Sequence, residues 1–342
     1  MQRCARLALI LVSLGITSQA GWGQSPVRII FDTDMDTDCD DAGALALLHA
    51  LTDANEATIL ATIVSSHYRY SVPCAAAINA HYGRPDLPVG APKSAGADTN
   101  RGSAYARQIA EAFPTQYRTN DEAPNAATVY REILAAEQDN SVVIVTVGYV
   151  TNLRDLLATG SDAHSPLSGP ELVRRKVKRW VCMGGRYPKH LDPGIYGNFK
   201  PDPASAFTAT RQWPGEVVFT GLGQDIITGQ SLRETSPTNP VRQAYELYLR
   251  GKPGRPSWDP IAVLYAIRPD ESFWRLDSQG TNHIFPNGTN EWRRSPDNPR
   301  HHLLKLQPQR KAKVQSILEE LITRPPRRRR SQTDQALSTS GG

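Results

Sequence analysis

The chain has 342 residues, with 39 Lys and Arg against 34 Asp and Glu, for a formal net charge of +5. The excess sits at the ends: residues 1–24 carry +2, residues 324–342 carry +4, and the body between them carries −1. A nucleic-acid-binding domain carries its positive charge on the fold, so that class is excluded, and the length suffices for one large core.

Arg3 and Arg6, the apolar run 7–16 and Ser18-Gln19-Ala20 have the order of a secretory signal peptide, cut near Ala20 or Gln24. The run is too short to span a bilayer, so the mature chain is expected to be exported, periplasmic or secreted. The expected division is a signal peptide over 1–24, one domain over 25–323 and a basic disordered tail over 324–342. Cys4 leaves with the signal peptide. Cys39, Cys74 and Cys182 remain, at irregular spacing that gives neither a zinc motif nor a disulfide framework.

The apolar stretch 27–31 reads as a buried strand and the Ala/Leu-rich stretch 42–51 as a helix. Between them lies Asp32-Thr33-Asp34-Met35-Asp36-Thr37-Asp38-Cys39-Asp40-Asp41, six carboxylates in ten residues. Like charges this close need compensation, and a divalent cation with oxygen ligands supplies it, Ca²⁺ suiting many carboxylates best. Asp40 and Asp41 also gain from the helix dipole. A solvated acidic turn accounts for those two but not for the four before them. An EF-hand loop needs Gly at its sixth position and Glu at its twelfth. Counting from Asp32 gives Thr37 and Gly43, and from Asp34 it gives Cys39 and Leu45, so that reading fails. A haloacid-dehalogenase-type phosphatase also places Asp-x-Asp after a strand and stays open as an alternative.

Further along, strands are expected over 57–64, in a short stretch that the turn 83–90 leads into, and over 142–147, 177–183 and 217–220. Helices are expected over 72–81, near 104–113, and over 126–137, 151–157, 204–210, 241–250, 259–267 and 312–321. Thr151 or Asn152 is expected near the cap of its helix, and Asp259 before another reads as an N-cap. Alternating strands and helices imply an α/β fold, a Rossmann-like, mostly parallel central sheet covered by helices on both faces. Ligands of such sheets bind beyond the carboxyl ends of the strands, where the acidic loop lies.

Asp-Thr-Asp at a strand end, followed by Asp-x-Asp-Asp-Ala opening a helix, resembles the inosine–uridine-preferring nucleoside hydrolase family. Four later stretches resemble that family in chain order: Val147-Gly148-Tyr149-Val150-Thr151-Asn152, Met183-Gly184-Gly185, Asn198 to Pro203, and Trp258-Asp259-Pro260. The resemblance implies the nucleoside hydrolase fold and one Ca²⁺ held by Asp34, Asp41, Asp259 and the Val147 carbonyl, with Asp32 behind them. It implies Asp34 as general base toward water, and Asp40, Met183, Asn198 and Trp258 against the substrate. The implied partner is a small ribonucleoside or riboside, with homo-oligomers common in the family.

Four positions depart from the pattern. Asp36 stands where the family usually has Gly, so Asp36→Asn is expected to do little. Tyr196 stands for a ribose-binding Glu, Ser66 for an Asn, and Trp258 for the His that protonates the leaving base. The metal half of the site is kept and the leaving-group half is altered. The expected activity is calcium-dependent hydrolysis of an N-glycosidic bond. A periplasmic glycoside-binding protein with little catalysis, on the same fold, is the second reading.

Overall fold

A computed structural model of the chain describes residues 25–95 and 104–327. The signal-peptide expectation lies outside the described residues, as does the tail beyond residue 327. The first tail residues are described, and the Arg327 backbone N–H donates to the Asp53 carboxylate at 3.0 Å.

β1 (Val27–Thr33), α1 (Asp40–Asp53), β2 (Ala57–Val64), α2 (Ser71–His81) and β3 (Val89–Gly90) form the first part of the chain. α3 (Ala106–Ala112), α4 (Ala126–Ala136), β4 (Val142–Thr146), α5 (Thr151–Leu157), α6 (Gly169–Lys176) and β5 (Val177–Met183) follow. Then come β6 (Lys189–His190), α7 (Pro203–Gln212), β7 (Val217–Thr220), β8 (Ile227–Thr228), α8 (Pro240–Leu249), β9 (Arg255–Pro256) and α9 (Trp258–Ile267). The last elements are β10 (Trp274–Asp277), β11 (Gly280–Ile284), β12 (Asn290–Arg294), β13 (His301–Leu306) and α10 (Lys311–Thr323).

Eight strands form the central sheet in the order β10-β13-β7-β5-β4-β1-β2-β3. All neighbours pair in parallel except β10, which runs antiparallel to β13 at one edge. The β-branched runs of β1 and β4 are buried, as strands covered on both faces require. One apolar layer joins α1, α2, α8, α9 and α10 to one face, and a second joins α4, α5, α6 and α7 to the other. The chain winds outward from β1 through β2 to β3, then crosses to β4 and winds the other way. The switch point therefore lies between the carboxyl ends of β1 and β4, where such sheets open a crevice for ligands.

The expected mostly parallel α/β sheet is present, with more elements than the sequence reading placed. α6 follows a capping box in which Ser168 and Glu171 exchange hydrogen bonds. β10 to β13 are short and carry many polar residues, so their apolar alternation is weak. β11, β12 and β6 make a separate small antiparallel sheet. Cys39, Cys74 and Cys182 are all free and buried.

Candidate active site

β1 delivers Asp34 to the crevice on one side, and β4 delivers Val147 to Tyr149 on the other. A β-carbon on Gly148 would collide with the backbone nitrogen of Asp34, so glycine is what lets the two loops meet. α1 begins at Asp40, and its first turn holds Asp40 and Asp41, both buried. The first turn of α9 holds Asp259, whose backbone N–H donates to Asp40 Oδ2 at 3.2 Å. Two helix N-termini thus converge on one group of carboxylates and favour its negative charge. The N-cap of α9 is Ser257 rather than the expected Asp259, which leaves the Asp259 carboxylate uncommitted to capping.

One oxygen from each of Asp38, Asp41 and Asp259 lies within 4.8 Å of the others. Asp41 Oδ2 and Asp259 Oδ1 are buried and have no hydrogen-bond partner. The other Asp41 oxygen accepts from the Thr33 hydroxyl. Burial pushes the carboxyls of Asp40, Asp41 and Asp259 well above the usual carboxylate range, and their mutual charges push them further. Buried carboxylate oxygens without partners are costly unless something positive faces them. An all-oxygen donor set of this kind fits a hard divalent cation.

Asp34 stands beside this trio, its carboxyl raised to about 7 by burial and then by the charge of Asp38. The Tyr196 hydroxyl lies 3.4 Å from Asp34 Oδ2 and 3.2 Å from the Tyr149 hydroxyl. Asp32 lies behind, fully buried. It accepts from the Tyr130 hydroxyl at 2.9 Å and from Asn152 Nδ2 at 3.1 Å, and burial raises it to about 7. Neither Thr151 nor Asn152 caps α5, whose N-cap is Val150. The Thr151 hydroxyl donates to Asp202 at 2.6 Å instead, and Asn152 also donates to the Val64 carbonyl at 3.0 Å.

The Val147 carbonyl accepts from Asn198 Nδ2 at 2.5 Å, and the Met183 carbonyl accepts from the same nitrogen at 3.4 Å. Asn198 therefore ties the ends of β4 and β5 together. Met183, Asn198, Tyr196, Asp38 and Trp258 line a cavity of about 470 Å³ at this end of the sheet. Met183, Asn198 and Trp258 thus line one cavity, while Asp40 is fully buried behind Arg255.

Arg255 gave no signal in the sequence, and Asp38, one of the six clustered carboxylates, was given no role of its own. Asp38 opens the Asp-x-Asp-Asp-Ala run. Arg255 lies in the Gly/Pro-rich stretch before α9, and its guanidinium donates to Asp38 at 2.5 Å and to Asp40 at 3.5 Å. It is stacked 5.0 Å from the Tyr248 ring and 4.9 Å from the Trp258 ring. Only the topology brings these residues together.

Asp36 does more than its family position implies. Its Oδ1 accepts from the backbone N–H groups of Tyr105 at 2.9 Å and Ala106 at 2.7 Å, and Oδ2 accepts from Ala104 at 3.3 Å. It thereby caps α3 from a distant loop. Its own φ is 105°, a conformation that explains glycine at this position. Asp36→Ala keeps that backbone strain and removes two acceptor oxygens that take three hydrogen bonds, so it should cost about 2 kcal/mol of stability. Denaturant unfolding checks this, and an unchanged midpoint would show that α3 does not depend on the carboxylate.

The family profile described as inosine-uridine preferring nucleoside hydrolase matches residues 29–321, most of the chain. The chain belongs to that family. A plant nucleoside hydrolase structure superposes with TM-score 0.64 at 18% identity, covering 88% of this chain and 100% of that one. An inosine–guanosine nucleoside hydrolase gives TM-score 0.64 at 16% identity, covering 86% and 98%. The inosine–uridine-preferring enzyme of Bacillus anthracis gives 0.61 at 16% identity, covering 87% and 99%. These likenesses establish a shared fold. No curated protein sequence matches the chain significantly. Family membership makes the protein a hydrolase of the type that acts on N-glycosyl compounds.

Proposed function

We propose that the protein is an exported, calcium-dependent hydrolase that cleaves the N-glycosidic bond of a ribonucleoside or a related riboside. The observation that carries this reading is the pair of buried, unpartnered oxygens, Asp41 Oδ2 and Asp259 Oδ1, beside Asp38 at the switch-point crevice. Asp34, Asp41, Asp259 and the second lone pair of the Val147 carbonyl would hold the cation, with Asp38 as a further oxygen donor. When bound, Ca²⁺ supplies positive charge that offsets the carboxylates and acidifies nearby water.

The chain's own groups account for the remaining chemistry. Asp34 accepts the proton of the attacking water as general base. Asp40 and the Oδ1 of Asn198 accept from ribose hydroxyls and fix the sugar, since Asn198 Nδ2 is already engaged with two carbonyls. Breaking the glycosidic bond leaves positive charge on the sugar, and the surrounding carboxylates favour that charge. Met183 packs against the ribose, and Trp258 covers the leaving group. The family match favours this reading over both the phosphatase and the non-catalytic binding protein.

Single-turnover assays on a panel of ribonucleosides, with and without a chelator, test the proposal through release of free base. Binding without release would favour the non-catalytic reading. Chelation should also lower the melting temperature, because a ligand at about a hundredfold excess over its Kd stabilises by roughly 2.7 kcal/mol. An unchanged melting temperature after exhaustive chelation would count against a metal here.

A further inference from the structure

A second cavity, of about 260 Å³, lies between α7 and the strands β11 and β13. Its walls include Phe207, Thr210, Arg211, Asn282, Arg300 and His301. His301 starts β13 and pairs with Val217, which starts β7. The acidic crevice lies beyond the carboxyl ends of the parallel strands, so this cavity sits toward the opposite end of the sheet.

The cavity is built from donors that the protein does not use. Asn290 Oδ1 accepts from the Arg186 backbone N–H at 3.0 Å, so Asn290 Nδ2 faces the Arg186 carbonyl and Asn282 Oδ1, each at 3.1 Å. That chain fixes the Asn282 amide with its oxygen accepting. Its Nδ2 is left buried and unpartnered, on a side chain only 5% exposed. The Thr210 hydroxyl is likewise buried and unpartnered. Arg211 stacks at 5.7 Å on the exposed ring of Phe207. The Arg300 guanidinium meets only a carbonyl, that of Trp213 at 3.1 Å.

The neighbouring histidines are held toward their neutral form, and the Glu291 carboxylate beside His283 is already paired. His301 accepts from the Thr281 hydroxyl at 2.8 Å, and burial together with the Arg300 charge lowers it to about 4, so it is neutral. Burial and the charges of Arg293 and Arg211 also lower His283. Glu291, the carboxylate nearest His283, is already held by Arg293 at 2.8 Å.

We propose that this cavity binds the phosphate of a small phosphomonoester of sugar size, apart from the hydrolytic site. Two guanidiniums, an amide N–H and a hydroxyl match the several acceptor oxygens of a phosphate better than the two of a carboxylate. The volume exceeds that of phosphate alone and leaves room for a pentose against Phe207. The Asn282–Asn290–Arg186 chain runs from this cavity to Arg186, which lines the catalytic one.

Titration calorimetry of the whole mature protein with ribose 5-phosphate, inorganic phosphate, ribose and glucuronate tests the proposal. Ribose 5-phosphate is expected to bind with a Kd of about 1 mM or tighter, phosphate more weakly, and ribose and glucuronate far more weakly at this site. Arg211 and Arg300 are exposed, so Arg211→Gln and Arg300→Gln should fold normally and weaken the sugar phosphate roughly tenfold each. Arg186→Gln and Arg255→Gln, in the catalytic cavity, should leave that affinity unchanged. The proposal is overturned if no binding is found. It is equally overturned if binding survives both Arg211→Gln and Arg300→Gln, is lost in Arg255→Gln, or is matched by glucuronate.

Discussion

Asp34→Asn is expected to lower turnover roughly a hundredfold or more while leaving folded yield close to that of the unchanged protein. The substitution keeps the side chain's size and an oxygen facing Tyr196, but removes the group that accepts a proton and one negative charge from the site. Removing a charge from a cluster of buried carboxylates also relieves repulsion, so the fold has no reason to suffer. Asp32→Asn is the contrast. The Asp32 carboxylate holds Tyr130 and Asn152 deep behind the site through one oxygen, and an amide there would put its NH2, in place of the other oxygen, against the Asn152 donor. Its loss should appear mainly as a lower unfolding midpoint. Pre-steady-state rates and denaturation curves on both variants separate the roles. If Asp34→Asn turns over normally, the base is another member of the cluster, and Asp38 is then the first to examine.

Much of the catalytic end was legible because the acidic loop, Val147-Gly148, Met183-Gly184-Gly185 and Asp259 each sit where a helix or strand visibly begins or ends. The apolar runs before them are long and β-branched, and a sheet covered on both faces leaves few alternatives for such runs. The pairing of Asp38 with Arg255 was not legible, since that cation lies 217 residues away in sequence. No periodicity encodes that pairing. The capping role of Asp36 was hidden for a different reason. Its value lies in backbone N–H groups of Ala104 to Ala106, which no side-chain pattern reveals. The strands after residue 273 were missed because short strands rich in polar residues carry little apolar alternation, although β13 extends the central sheet between β7 and β10.

The leaving group is where this chain should differ most from a His-containing relative. Trp258 opens α9 beside the catalytic cavity, with the Arg255 guanidinium 4.9 Å from its ring. An indole N–H is too weak an acid to protonate a departing base near neutral pH, although the ring can stack on a flat one. Other donors are poorly suited. Burial and the charge of Asp34 raise the Tyr196 hydroxyl well above its ordinary value, so it holds its proton tightly. His190 is lowered by burial and by Arg186, which keeps it neutral. The rate should therefore follow the leaving group's own acidity. A nitrophenyl riboside, which departs without a proton, should be cut at least about a hundredfold faster than inosine or uridine, the span that general-acid assistance commonly covers. Trp258→His should narrow that gap by raising the nucleoside rates and leaving the activated riboside little changed. Steady-state rates on the three substrates with both proteins decide the matter. Equal rates on natural and activated substrates in the unchanged protein would mean that a proton does reach the leaving base, with His190 or Tyr196 supplying it.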